Sequence, residues 1–390
     1  MYIALQKQYK PFKQTLETIH VLNYYKYLLI MIFINRVLFT ILTLFLCTPG
    51  HCQINHILKG EIVHGETKSD SIYLKQDVFI PSKYYEPVVK STKISNNNFA
   101  FNTSITYPQM YFTYLSEDKD ILSFRPGLFF IDNKNSELIF DYQNGENGYI
   151  LNETGTEYRN KFQPFLKSHF NPDDNPRFYI RLSSDNSFKV DSVYAQYIQA
   201  NPDSYVALWH VIQRFFIKGH SSEREATLNL FSAKIKDTKL WKLINNDIHN
   251  ALIKENHPFP QIELKDENFT MQKVFIPKNK VVVVDFWFNN CKPCLAAFPR
   301  LIDLYHKYKD KGFEIIGVST DRSDRVKNWK KVIQDHQLPW AQYLDENAVK
   351  ASKMYISLYP TAILIDKKGN IVNKKASLQD IETFLIKELN

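Results

Sequence analysis

The stretch "VVVVDFWFNNCKPCLAAFP", residues 281–299, decides how this chain is read. Four valines and Asp-Phe-Trp-Phe form an apolar run of strand composition, with one carboxylate, Asp285, enclosed in it. Cys291 and Cys294 follow, where the strand pattern gives way to a helical one. At a helix N-terminus the unpaired N–H groups and the dipole favour a thiolate, lowering a thiol pKa from about 8.5 to about 7 or below. The first cysteine is expected to be exposed at that position. Lys292 adds positive charge between the two and reads as a tuner of potential. Pro293 takes an early helical position, where its missing N–H costs nothing.

A Cys-x-x-Cys pair has three common uses. A zinc site needs four ligands, yet past residue 52 the chain has no cysteine besides this pair, and no two histidines there stand at ligand spacing. Covalent haem needs a histidine directly after the second cysteine, and Leu295 stands there. Dithiol–disulfide exchange remains, with no cofactor and no metal. A secreted chain stapled by disulfides would use more cysteines at longer separations, so the pair is not a fold staple.

Residues 21–47 form the one strongly apolar segment. From Met31 onward it reads as a secretory signal, with Arg36 as the positive region, "VLFTILTLFLC" as the apolar one and "TPGHCQ" as the exit. Residues 1–30 then form an upstream extension. The same segment is long enough to stay as a membrane anchor, and lipidation of Cys47 or Cys52 is a third reading. Export to the periplasm or cell envelope is the expectation, with the mode of attachment open.

The chain has 390 residues, 44% hydrophobic and 23% charged, which suits two or three globular domains. Half of the formal charge of +8 comes from residues 1–52, with five Lys/Arg against one acid. The rest is a mild excess spread along the chain, so nucleic acid is not an expected partner.

Residues 1–52 are read as signal or anchor. Residues 53–155 alternate short β-type runs with turns and predict a small antiparallel sheet or sandwich. Residues 156–257 switch to helical periodicity, with Pro202 and Gly219 as punctuation. Trp209, Phe216, Trp241 and Ile248 there read as helix-packing core. "ENHPFPQIEL" is a linker. Residues 258–390 alternate strand and helix, with a Ser/Asp-capped helix in "SDRVKNWKKVIQDHQ". They predict an α/β domain whose sheet is covered on both faces.

Here the sequence resembles a family. "DFWFNNCKPCLAAFP" looks like the active-site segment of thioredoxins. The resemblance implies that Asp285 is the buried carboxylate relaying a proton to Cys294. Trp287 would be the tryptophan beneath the site, and Pro299 the proline that kinks the first helix. Tyr359-Pro360-Thr361 looks like the cis-proline loop that holds substrate backbone, so Trp287, Tyr359, Pro360 and Thr361 are grouped as substrate-contacting residues. A cis peptide is essentially a proline feature, and Pro360 is the residue able to supply it. "FEIIGVSTD" and "YPTAILIDKKGNIV" look most like the TlpA/ResA branch of envelope thiol–disulfide oxidoreductases. Asn289-Asn290 and the Lys-Pro dipeptide depart from that pattern, so the redox poise is not carried over.

The fold expected is α/β: a C-terminal thioredoxin-like domain preceded by a small β-rich domain and a helical segment. The function expected is an exported oxidoreductase that reduces protein disulfides, with Cys291 attacking and Cys294 resolving. Its partners would be disulfide-bearing envelope proteins and a membrane thiol electron donor. The alternative is an envelope binding or assembly protein using the module as a scaffold. A thiol peroxidase would place threonine where Phe288 stands. His306 and His336 read as surface or packing residues.

Overall fold

The computed structural model describes residues 56–63, 69–115, 127–141, 149–170 and 188–389. The readings on residues 1–52, including the apolar segment, Cys47 and Cys52, lie outside the described residues. Among the described residues no helix is long and apolar enough to cross a membrane.

The N-terminal strands are β1 (His56–Val63), β2 (Ser71–Lys75), β3 (Ser91–Lys93), β4 (Asn98–Thr103), β5 (Gln109–Leu115), β6 (Gly127–Ile131), β7 (Ser136–Asp141) and β8 (Tyr149–Leu151). They form two four-stranded sheets, ordered β4-β1-β7-β8 and β3-β2-β5-β6. One pairing departs from the antiparallel expectation: β1 and β7 run parallel, from Leu58 opposite Ser136 to Val63 opposite Asp141. Between them the chain passes through the whole second sheet, and so long a connection permits a parallel return.

Among the described residues α-helix begins at Glu153. Glu153–Glu157, a π-helical turn at Tyr158–Phe162 and Gln163–His169 make one run, α1. Then come α2 (Phe188–Ala200), α3 (Tyr205–Lys218), α4 (Ser222–Leu228), α5 (Ala233–Lys236) and α6 (Lys239–His249). Ser204, Ser221, Ser232 and Thr238 each accept a backbone N–H at the start of a helix, satisfying donors the helix cannot. Gly219 ends α3 at φ 74°, a conformation that penalises a side chain. The change from strand to helix falls between Leu151 and Glu153, close to the expected 155/156, and the helices share a core with the sheets. One hydrophobic cluster runs from Leu58 on β1 to Ala251 beyond α6, with Trp209, Phe216 and Ile248 inside it and Trp241 packed against it. Sheets this small expose too much apolar surface to stand alone, and the helices cover it.

The C-terminal domain is built on a seven-stranded sheet, ordered β10-β9-β13-β12-β11-β14-β15. Its strands are β9 (Glu263–Lys265), β10 (Met271–Lys273), β11 (Val281–Trp287), β12 (Phe313–Ser319), β13 (Ala341–Leu344), β14 (Thr361–Ile365) and β15 (Ile371–Asn373). The helices are α7 (Lys292–Tyr308), α8 (Val326–Asp335), α9 (Val349–Lys353) and α10 (Leu378–Leu389). β11, β12 and β13 run parallel, and β14 returns antiparallel beside β11. One core cluster joins the sheet to α7, α8 and α10, and another fills the opposite face with Met354 and Ile356. The expected cover on both faces is therefore present. The expected Ser/Asp cap of α8 is not: Ser323 lies in a preceding 3-10 turn and bonds Asn347 instead.

Candidate active site

β11 delivers its residues to the site by simple alternation. Val281, Val283 and Trp287 belong to the cluster that holds Cys291, Cys294 and Phe298, whereas Val282, Val284 and Phe286 belong to the opposite one. Side chains alternate faces along a strand, so Asp285 stands on the cysteine face. Asp285 is 2% exposed. Burial pushes its carboxyl up to about 7, because a charge is poorly solvated there. A carboxyl that titrates near neutrality exchanges protons with a neighbour at little cost.

Cys291 is the N-cap of α7. Its Sγ accepts the Cys294 N–H at 3.3 Å, and its own N–H donates to the Phe288 carbonyl at 3.0 Å. The two sulfurs are joined in a disulfide with the α-carbons 5.2 Å apart. Cys291 was expected to be exposed, but it is only 3% exposed. The bonded sulfur folds into the core cluster, against which Phe288, Leu295 and Tyr359 pack. Lys292 and Pro293 lie on the surface in the first turn, and Pro299 is inside α7.

The Tyr359–Pro360 peptide is cis, as the resemblance implied. The four residues grouped as substrate contacts play different parts. Pro360 is exposed. Tyr359 turns inward, its ring edge-on to Phe288 at 5.4 Å and its phenol meeting the Thr320 side chain. Thr361 is buried and donates Oγ1 to the Leu358 carbonyl at 2.6 Å. Trp287 has no exposed surface: its indole N–H donates to Gln342 Oε1 at 3.3 Å, and its ring meets Phe298 edge-on at 5.2 Å. Substrate contact by Trp287 is therefore corrected to support from beneath, because its apolar ring and its N–H both find partners inside. His336 is half-buried, edge-on to Phe298 at 5.3 Å.

Two residues near the site were not singled out from the sequence. Asp321, just past β12, accepts the Asn289 main-chain N–H at 3.1 Å, the Asn289 side-chain amide, and the Ser319 hydroxyl at 2.7 Å. Burial pushes its carboxyl up, while the Ser319 and Asn289 hydrogen bonds oppose that shift. Gln342, on β13, holds Trp287. The usable signals were positional: Asp321 follows the carboxyl end of a parallel strand, where sites in open α/β sheets gather. Gly317 sits mid-strand, where a glycine often marks a close approach.

A family model described as thioredoxin-like matches residues 279–371. A thiol-disulfide oxidoreductase ResA of Bacillus cereus is 35% identical over 115 residues, covering 29% of this chain and 59% of that protein. The ResA of Bacillus thuringiensis subsp. konkukian is 32% identical over 131 residues, covering 33% of this chain and 68% of that protein. This chain belongs to the ResA-type, thioredoxin-like thiol–disulfide oxidoreductases. A thiol-disulfide oxidoreductase thioredoxin domain from Bacteroides vulgatus is 34% identical over 35% of this chain and 98% of that domain, with a TM-score of 0.32. The match thus spans 59% of the first ResA and 68% of the second. The family match begins at residue 279, so the sheets and helices before the ResA-type domain form an N-terminal extension. What this ResA-type site can do chemically is close and open one disulfide, with a buried carboxyl on the same face of the sheet.

Proposed function

We propose that this protein reduces disulfides in partner proteins of the cell envelope. One observation carries the reading: Cys291 and Cys294 form a disulfide at the head of α7, on the sheet face that holds buried Asp285. In the reduced protein the Cys291 thiolate attacks a partner disulfide, forming a mixed disulfide and releasing one partner thiolate. Cys294 gives its proton to Asp285, attacks Cys291 Sγ and releases the second partner thiolate. The partner gains two electrons and, from solvent, two protons, while the Cys291–Cys294 bond re-forms. Pro360 is the outward residue of the loop preceding β14 and presents that loop to an incoming chain. A membrane thiol donor returns the two electrons by attack on Cys291. The apolar segment 21–47 supports placement at the envelope, as a removed signal or a retained anchor.

The test uses the full-length chain in mild detergent. Reduction of insulin by dithiothreitol should be accelerated by the wild type and not by Cys291→Ser. Cys294→Ser should accumulate covalent adducts with envelope proteins that dithiothreitol releases. A wild type without activity, and a Cys294→Ser variant without adducts, would remove the enzymatic reading. The reduction potential then sets direction: about −270 mV fits a reductant, about −120 mV a disulfide donor. Protease accessibility in intact cells tests placement, and a protected chain in the cytoplasm would refute it.

A further inference from the structure

Across the central strands one row of paired residues reads Ala362, Asp285, Gly317, Gln342. Laterally paired residues project to the same face of a sheet, here the face that carries the cysteines. Gly317 leaves that face open. A Cβ at this position would lie 2.1 Å from Gln342 Oε1, 2.6 Å from Cδ and 2.7 Å from Nε2. The whole carboxamide of Gln342 therefore lies over the Gly317 α-carbon, one strand from Asp285. Its orientation is fixed as well. The Trp287 indole N–H can only donate, so Oε1 must face it, and the amide nitrogen is directed elsewhere. That nitrogen is buried without a hydrogen-bond partner. A buried donor left without an acceptor calls for an explanation, and Asp285 is the carboxylate in its row.

We propose that Gln342 is a positioning residue for the proton carried by Asp285. Its Nε2 donates to the carboxylate when Asp285 ionises, directly or through one water, and the bare α-carbon of Gly317 admits it. This rests on the dithiol reading above and deepens it. During resolution the Cys294 proton moves to Asp285 while Cys294 Sγ bonds to Cys291 Sγ and the partner thiolate leaves. Loss of the carboxylate charge then weakens the Gln342 hydrogen bond. Gln342 thus favours the ionised carboxylate that is ready to accept the proton. Other titratable groups on this face are few. Among the described residues α7 contributes Cys291, Cys294, Tyr305 and Tyr308, the loop before β14 contributes Tyr359, and His336 follows the end of α8 against Phe298. β12, β13, β14 and α10 contribute Ile315, Leu344, Leu364 and Leu385 to the same cluster. The Arg300–Glu382 pair lies on the outer surface between α7 and α10.

The experiment is a carbon-13 titration of the Asp285 carboxyl in the full-length protein, beside the pH profile of resolution. Gln342→Met keeps the volume and removes the donor. It should raise the Asp285 midpoint by about one pH unit, a tenfold change in proton affinity, and move the resolution profile by the same amount. KM for insulin should stay unchanged, and Gln342→Met should add nothing in an Asp285→Asn background. Gly317→Ala, which displaces the carboxamide, should reproduce the shift. In the wild type the Gln342 side-chain amide resonance should titrate with the Asp285 midpoint, a reading that needs no variant to fold. An amide resonance indifferent to that titration, or equal Asp285 midpoints in folded wild type and Gln342→Met, overturns the proposal. If the midpoint moves but the wild type reduces no disulfide, the functional reading fails and the link from Gln342 to Asp285 stands.

Discussion

Asn289 and Asp321 are tied together across the ends of β11 and β12. The Asp321 carboxylate accepts the Asn289 main-chain N–H through both oxygens, at 3.2 and 3.1 Å, and the Asn289 side-chain amide as well. Asn289 lies two residues before Cys291, so this tie sets where the chain enters α7. Asp321→Ala leaves those buried donors unpaired, which costs about 1–3 kcal/mol. Chemical denaturation should show that loss. Insulin reduction should show a larger fall in kcat than rise in KM, because the tie orients the cysteine and not the partner. Unchanged kcat would separate Asp321 from the site.

Asp285 links the site to stability through pH. Its carboxyl is pushed up to about 7 in the folded chain from an ordinary value of 3.8. Below about pH 4 it is neutral in both states and costs nothing. Between the two values the unfolded chain ionises first, so stability falls as pH rises, and above about 7 the full penalty is present. Asp285→Asn removes the ionisation. It should stabilise the protein by about 2–4 kcal/mol at pH 8 and lose that advantage below pH 4. It should also slow release of mixed disulfides. Parallel denaturation curves at both pH values check the first claim, and single-turnover kinetics the second.

The helical region has its own buried charge centre. Arg214 Nε meets Asp191 at 2.5 Å and Arg224 Nη2 meets it at 3.0 Å, all three side chains being buried. Burial pulls the Asp191 carboxyl upward, but Arg224 and Arg214 hold it below the usual carboxylate range. Its contribution is therefore present above pH 4 and is lost on acidification through the lowered value. Asp191→Ala leaves two buried guanidinium groups facing each other and should cost about 3–5 kcal/mol. Thermal unfolding measures this, and a loss below 1 kcal/mol would contradict it.

Tyr355 is one place where the extension reaches the catalytic domain. Its ring meets Phe215 and Phe216 at 5.2 and 5.3 Å, and its phenol hydrogen-bonds Asp247. The same carboxylate holds Lys83 at 2.7 Å and Tyr84 at 2.8 Å. Four residues on, the chain enters the Tyr359–Pro360 loop. Tyr355→Ala should cost about 2 kcal/mol and speed hydrogen exchange across residues 354–361. Because Tyr355 does not touch the disulfide, the reduction potential should stay constant while kcat/KM for a protein substrate falls. A shifted potential with unchanged exchange would place its effect elsewhere.

Much of the active site was legible because it is local in sequence. Val281–Trp287, Cys291, Pro293 and Cys294 are one strand, one turn and one helix start, and period and cap chemistry announce such features directly. Asp285 could be placed inside by its apolar neighbours, whereas Pro360 was legible through the resemblance of Tyr359-Pro360-Thr361 to the thioredoxin cis-proline loop, a cis peptide being essentially a proline feature. The tertiary structure decided what depends on distant strands. Gln342 meets Gly317 and Trp287 only after β13, β12 and β11 align, and Asp321 finds Asn289 only when two parallel strands end side by side. Local pattern also put the switch from strand to helix near residue 155, and the structure has it between Leu151 and Glu153; that sheets and helices share one core was decided by packing. Periodicity records which face of an element is apolar, but the partner that covers that face is chosen by long-range complementarity.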